Sequence, residues 1–211
     1  MIKTWIADVK PLLENDKLAT YYNTLPRWRR EKAIKIKDPL TKAQSVGVWA
    51  LWTQIKECFA IEDANIHNFS HSGDYVLCSV EITGNPNVKL GCDIVKMKDI
   101  DRYIDRFAKR FFGHLEYQAI YNCKTREEKR DTFYRLWALK ESYVKATGLG
   151  MAIDTRSFEI KLGEPITLLK QPVEHHDNYQ LLELYTYDLP YKVAVCTTDV
   201  EVDKELKLLV L

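Results

Sequence analysis

The sequence has no surplus of charge. Thirty-one Lys and Arg stand against 30 Asp and Glu, a formal net charge of +1 over 211 residues. Without a field of one sign there is no global attraction to nucleic acid or anionic lipid, so any basic function has to be local. A long apolar run is also missing. The longest uncharged stretch, Ala43 to Ile55, falls short of the ~20 residues that cross a bilayer, and in the opening MIKTWIADVK an acid, Asp8, arrives before an apolar leader can develop. The expectation is a cytoplasmic protein that neither enters nor sits on a membrane. Cysteine pairing is absent too. Cys58, Cys78, Cys92, Cys123 and Cys196 are odd in number and never spaced C-x-x-C, which predicts reduced thiols, mostly in the core. The spacing of Cys58, His67, His71 and Cys78 matches no structural zinc pattern. His175 and His176 read as a solvated pair in a polar loop, and no Walker A loop, G-x-G-x-x-G or G-x-S-x-G occurs.

What is there is an ordinary globular chain, 46% hydrophobic, long enough for one large domain or two small ones. Helical and strand periods are mixed without a regular βαβ alternation, which predicts an α+β fold. TWIADV reads as a first strand. Helices follow over 12–22, 26–36 and 41–58, with Pro26 suited to a first turn, then a strand at DYVLCSVEI. The strongest turn chemistry is TGNPN, 83–87. It separates an expected N-terminal unit, residues 1–86, from a C-terminal one, 87–211. The second unit opens with strand VKLGCDIV, continues with helices over 100–112 and 125–147, and ends in strands at SFEIKL, YQLLELYTY and YKVAVCTTD.

The helix FYRLWALKESYVKATGLG carries an unusual middle. At 100° per residue Leu136, Leu139 and Tyr143 form an apolar seam, while Trp137, Glu141 and Lys145 make an i, i+4, i+8 ridge on another face. Such a ridge fits a solvated ion pair as well as a site, and Gly148 and Gly150 supply a C-terminal stop. Two further stretches favour a site. Asp93 interrupts an apolar strand, where a carboxylate is costly unless it meets a cation, a metal or several donors. Ser70, His71 and Ser72 stand immediately before another strand, with Gly73 permitting a tight entry.

In this order, NFSHSG, GCDI and WALKESYVKATGLG resemble the 4′-phosphopantetheinyl transferases of the large, pseudo-dimeric type, which activate carrier proteins. The last stretch matches the pattern W-x-x-K-E-x-x-x-K-x-x-G-x-G through Trp137, Lys140, Glu141, Lys145, Gly148 and Gly150. The resemblance implies two similar α+β halves about a pseudo-twofold axis, with coenzyme A in the cleft between them. It also implies transfer of phosphopantetheine from coenzyme A to a serine of an apo acyl or peptidyl carrier protein, releasing 3′,5′-ADP. Mg²⁺ would be held by Asp93 and Glu141, as suits a cation that takes one or two carboxylates plus phosphate and water. Glu141 would act as or position the base, and Lys145 would face the phosphates. Lys140, nearer the seam, would join that cluster. Ser70 and His71 would contact the coenzyme A phosphates, as would Lys42 and either Arg27 or Arg30. Phe112 and Leu115 would offer the carrier an apolar anchor, with Phe107 left to the core. A site completed within one chain favours a monomer. Family members commonly carry D-x-E at the strand; here Asp93-Ile94-Val95 lacks the second acid. A non-catalytic relative that binds coenzyme A or a carrier is the alternative.

Overall fold

The computed structural model describes residues 1–172, 177–199 and 201–211; His175 and His176 lie outside the described residues. Four layers stack in the order helix, sheet, sheet, helix. The first sheet has the order β2-β3-β1-β9, from β1 (Ile2–Asp8), β2 (His67–Ser72), β3 (Tyr75–Glu81) and β9 (Val202–Leu209). The second has the order β4-β8-β7, from β4 (Leu90–Lys96), β7 (Gln180–Leu184) and β8 (Tyr191–Thr197). A separate ribbon pairs β5 (Glu159–Lys161) with β6 (Thr167–Lys170).

Alternation along each strand assigns its two faces. Trp5, Ala7, Val76 and Cys78 turn toward α3 (Pro39–Phe59) and pack with Leu51, Trp52 and Ile55. Ile2, Ile6 and Leu77 face the other way and meet Cys92, Ile94, Val193 and Val195 of the second sheet. Beyond that sheet lies α6 (Arg126–Thr147), whose Leu136, Leu139 and Tyr143 are fully buried, as the seam predicts. Each sheet thus carries one long helix on its outer face, an α+β arrangement of two halves joined by their inner faces.

Several local expectations are corrected. The 12–22 helix is a 3₁₀ turn, Lys10–Leu13, followed by α1 (Asn15–Thr24). Helix α2 is short, Arg27–Ala33, with Pro26 as its N-cap. The helix expected over 100–112 is α4 (Ile104–Phe111), and α5 (His114–Tyr121), which the sequence reading missed, follows it. Ser70, His71 and Ser72 belong to β2 itself, and Gly73, at φ +52°, makes the β2–β3 turn rather than a strand entry. All five cysteines are free; Cys78, Cys92 and Cys196 are buried, but Cys58 is exposed near the end of α3. The unexpected β9 runs parallel to β1, so the chain end returns to the first sheet across the 86/87 division. Among the described residues no helix is long and apolar enough to cross a membrane.

Candidate active site

Along one border of the face-to-face packing, the edge strands β2 and β4 meet through side chains. Strand β4 gives alternate N–H groups to β8; the intervening ones, of Cys92, Ile94 and Lys96, donate to Asn68 Oδ1 (3.0 Å), Ser70 Oγ (3.3 Å) and Ser72 Oγ (3.0 Å) of β2. The polar residues of NFSHS therefore satisfy a strand edge that would otherwise be left unpaired. On the α6 side of this seam Gly91 permits close approach. A Cβ there would lie 2.1 Å from the Ser142 carbonyl oxygen and 2.4 Å from the Ala146 nitrogen.

Helix and strand are therefore close enough for Lys145 to reach Asp93. The Lys145 ammonium donates to Asp93 Oδ1 (2.7 Å), Ser70 Oγ (2.9 Å) and the Cys92 carbonyl oxygen (2.9 Å), and Ser70 Oγ donates to the same Asp93 oxygen (2.8 Å). Asp93, 7% exposed, finds the cation that its apolar strand demanded. Burial still pushes its carboxyl above the ordinary range, with Lys145 and Ser70 pulling the other way. Burial, and next the Asp93 charge, raise the Glu141 carboxyl as well. His71 is held below its ordinary value by burial and then by the nearby charges of Lys145 and Arg29, against the opposing pull of Asp93.

The ridge predicted from helical spacing lines a cleft of about 650 Å³. Trp137, Glu141, Val144 and Lys145 form its floor, Arg110 and Phe111 at the end of α4 one wall, and Asp154, Thr155 and Arg156 another. The rings of Phe111 and Trp137 meet edge to face with centroids 5.4 Å apart. A larger hollow of about 960 Å³, around Arg135, Leu168 and Tyr179, is lined by none of Asp93, Glu141 or Lys145.

Not every candidate joins this cluster. The Lys140 ammonium is buried away from the cleft, bonded to both Glu116 oxygens at 2.7 Å and to the Phe158 carbonyl at 3.0 Å. With its three donors used, it is not available as a coenzyme A ligand here. Phe112, 3% exposed, packs edge to face on Phe133 with ring centroids 5.4 Å apart; it is a core residue, and of the two expected carrier contacts Leu115, 48% exposed, is the one on the surface. Phe107 packs against the same core, as expected. The Arg27 side chain is 87% exposed and pairs with Glu31 one turn along. Arg30 and Lys42 are half-buried on α2 and α3, and among the described residues neither is hydrogen-bonded to the cluster.

Arg29, which the sequence does not single out from its basic neighbours, is half-buried. It stacks over Trp49 at 5.6 Å and donates through Nη2 to the Ser45 carbonyl (3.3 Å), while its buried Nε has no acceptor among the described residues. The signal was present in helical spacing: Arg29 lies four residues before Ala33, the one buried residue of α2, and so shares its inward face.

Asp93, paired with Lys145, and Glu141, on the cleft floor, are two carboxylates of the site, and two carboxylates are what a Mg²⁺ ion that also takes phosphate and water would use. Among the described residues no cluster of three or more His, Cys, Asp or Glu accompanies them, and Val95, where an acid is expected, packs against the aromatic core of the second half.

The chain is similar to known proteins. The 4′-phosphopantetheinyl transferase superfamily matches residues 89–196. The 4′-phosphopantetheinyl transferase Sfp of Bacillus subtilis (strain 168) is 33% identical over 142 residues, 67% of this chain and 58% of its own length. The human L-aminoadipate-semialdehyde dehydrogenase-phosphopantetheinyl transferase is 37% identical over 105 residues, 48% of this chain and 32% of its own. The chain therefore spans less than two thirds of the length of these curated relatives. A holo-(acyl-carrier-protein) synthase from Bacillus anthracis, solved in complex with CoA (3′,5′-ADP), is similar with a TM-score of 0.43 at 19% identity, over 52% of this chain and 93% of that one. With the matched region containing Asp93, Glu141 and Lys145, the chain belongs to the 4′-phosphopantetheinyl transferase superfamily.

Proposed function

We propose that the protein transfers the 4′-phosphopantetheine group of coenzyme A to a serine of an apo acyl or peptidyl carrier protein, releasing 3′,5′-ADP. One observation carries this reading: Asp93 and Glu141 lie close to a fully bonded Lys145 ammonium, on a seam where Ser70 of the other sheet is also engaged. In the reaction the serine oxygen attacks the phosphorus bearing pantetheine, and the bond from that phosphorus to the 3′,5′-ADP oxygen breaks. Glu141 takes or orients the serine proton, and its raised proton affinity suits a base. Lys145 moves from Asp93 toward the pyrophosphate, where its charge offsets that of the leaving group. Asp93 and Glu141 would hold Mg²⁺, which supplies charge neutralisation to a phosphoryl transfer. His71 and Arg29 are the cofactor-side contacts; the unpartnered Arg29 Nε–H is suited to a phosphate oxygen. Ser70 acts through Lys145 and Asp93. Leu115 is the apolar contact for the carrier, and the chain acts as a monomer because both halves contribute to one site.

The test is chromatographic detection of 3′,5′-ADP from coenzyme A and Mg²⁺ with and without apo carrier protein. Release only with carrier supports the transferase. Coenzyme A binding without release supports the non-catalytic relative.

A further inference from the structure

Lys140 precedes Glu141 in the chain, yet its ammonium points behind the cleft. Lys140 is 3% and Glu116 is 1% exposed, and the ammonium lies 4.0 Å from the centroid of the Phe158 ring. The Glu116 carboxylate does more than neutralise it. Oε2 accepts the Gly113 N–H at 2.7 Å, and Oε1 accepts the Ile160 N–H at 2.9 Å. Gly113 follows the Arg110–Phe111 wall of the cleft, and Ile160 follows the Asp154–Arg156 wall. A single buried carboxylate thus ties both walls to the helix that carries Glu141. A second tie supports the same join: Thr155 Oγ1 of one wall donates to the Phe111 carbonyl of the other at 2.8 Å.

We propose that Lys140 is a positioning residue which, with Glu116, clamps both walls of the cleft onto α6 and so fixes where Glu141 meets the reacting groups. The proposal rests on the transferase reading of the same cleft. It replaces contact with coenzyme A as the reason for this lysine. A buried ion pair with every donor and acceptor satisfied holds one geometry, because any shift leaves a charge unpaired in an apolar surrounding. The carboxylate beside it inherits that geometry. Partners that orient a functional carboxylate without touching substrate typically matter by about 10–100-fold.

The experiment compares wild type, Lys140→Met, Lys140→Arg and the neutral pair Lys140→Met/Glu116→Gln, all at a temperature where each is folded. For Lys140→Met, kcat is expected to fall ~30-fold, while the calorimetric Kd for coenzyme A stays within about threefold. The neutral pair is expected to regain at least about threefold of that kcat, since it removes the orphaned carboxylate charge, and Lys140→Arg to lie between. A ~10-fold weaker Kd in every variant lacking the lysine, with no recovery in the neutral pair, would make Lys140 a ligand and overturn the proposal. An unchanged kcat with a lowered Tm would reduce it to a strut and overturn it equally. Amide exchange decides without turnover. In Lys140→Met, exchange at Gly113 and at Ile160 should quicken together while β1 and β3 stay protected; a change at only one wall contradicts the clamp. If wild type shows no transfer at all, the transferase reading fails while the exchange result still judges the clamp.

Discussion

At the residue scale, Asp93 changes meaning once its partners are known. A lone carboxylate in an apolar strand would be a liability, and removing it a relief. Bonded to Lys145 and Ser70 it is instead the counter-charge of a partly buried ammonium. Asp93→Ala is therefore expected to lower stability by about 1–3 kcal/mol, through the unpaired lysine and the lost acceptor of Ser70, as well as to stop transfer. Urea unfolding at neutral pH measures this; a more stable variant would show that the pair costs more than it returns. Val95 was similarly open on sequence alone, because period 2 puts it on the Asp93 face, where a glutamate could have offered the metal a third carboxylate. Its packing against the aromatic core of the second half turns the expectation round. Val95→Glu should lower stability by about 1–3 kcal/mol and leave the Mg²⁺ concentration for half-maximal activity unchanged; a fall in that concentration at unchanged Tm would place the side chain in the cleft after all.

At the scale of elements, the site depends on how closely α6 lies on β4. Gly91 has no room for a Cβ against the α6 backbone, so Gly91→Ala must push helix and strand apart, at a cost of about 3 kcal/mol, and lengthen the reach of Lys145 to Asp93. Thermal unfolding together with the rate of transfer checks it; normal values of both would mean that the contact relaxes freely. This close approach explains what the sequence could and could not convey. The ridge of Trp137, Glu141 and Lys145 followed from helical period alone, and the structure lines the cleft with it. Asp93 announced its need of a partner through the cost of burial. The identity of that partner depended on the approach of two elements distant in sequence, as did the fate of Lys140, whose counter-ion Glu116 lies in a helix that the aromatic-rich RFAKRFFGHLEY concealed. Arg29 was overlooked for Arg27 and Arg30 because a run of basic residues looks equally solvated until one face is known to be inward. Strand β9 is hidden in the sequence because VDKELKLL places three charged residues in a row, Asp203, Lys204 and Glu205, which breaks the period-2 alternation, and among the described residues it pairs only along one edge.

At the scale of the whole molecule, two sheets brought together by their inner faces put the site on a seam, and carboxylates inside and outside that site respond to pH with opposite signs. Burial would lift the Glu81 carboxyl, but the Thr83 hydroxyl, the N-terminal ammonium and the N–H groups of Thr83 and Asn85 hold it at about 2, below its ordinary 4.5. A lowered carboxylate stabilises the fold above its unfolded value and loses that contribution as pH falls from about 4.5 toward 2. Asp93 and Glu141 have raised values, so their contribution is full at low pH and fades as pH rises through those values. Wild type should therefore lose stability between pH 4.5 and 2 more steeply than Glu81→Gln; equal slopes in denaturant titrations would remove Glu81 from the account. Transfer by the Asp93, Glu141 and Lys145 cluster is read out by intact mass spectrometry of an apo carrier protein incubated with coenzyme A and Mg²⁺. The carrier should gain one phosphopantetheine with wild type and none with Glu141→Gln, which keeps helix propensity and shape while losing the charge. An unmodified carrier with wild type, or a fully modified one with Glu141→Gln, would contradict it.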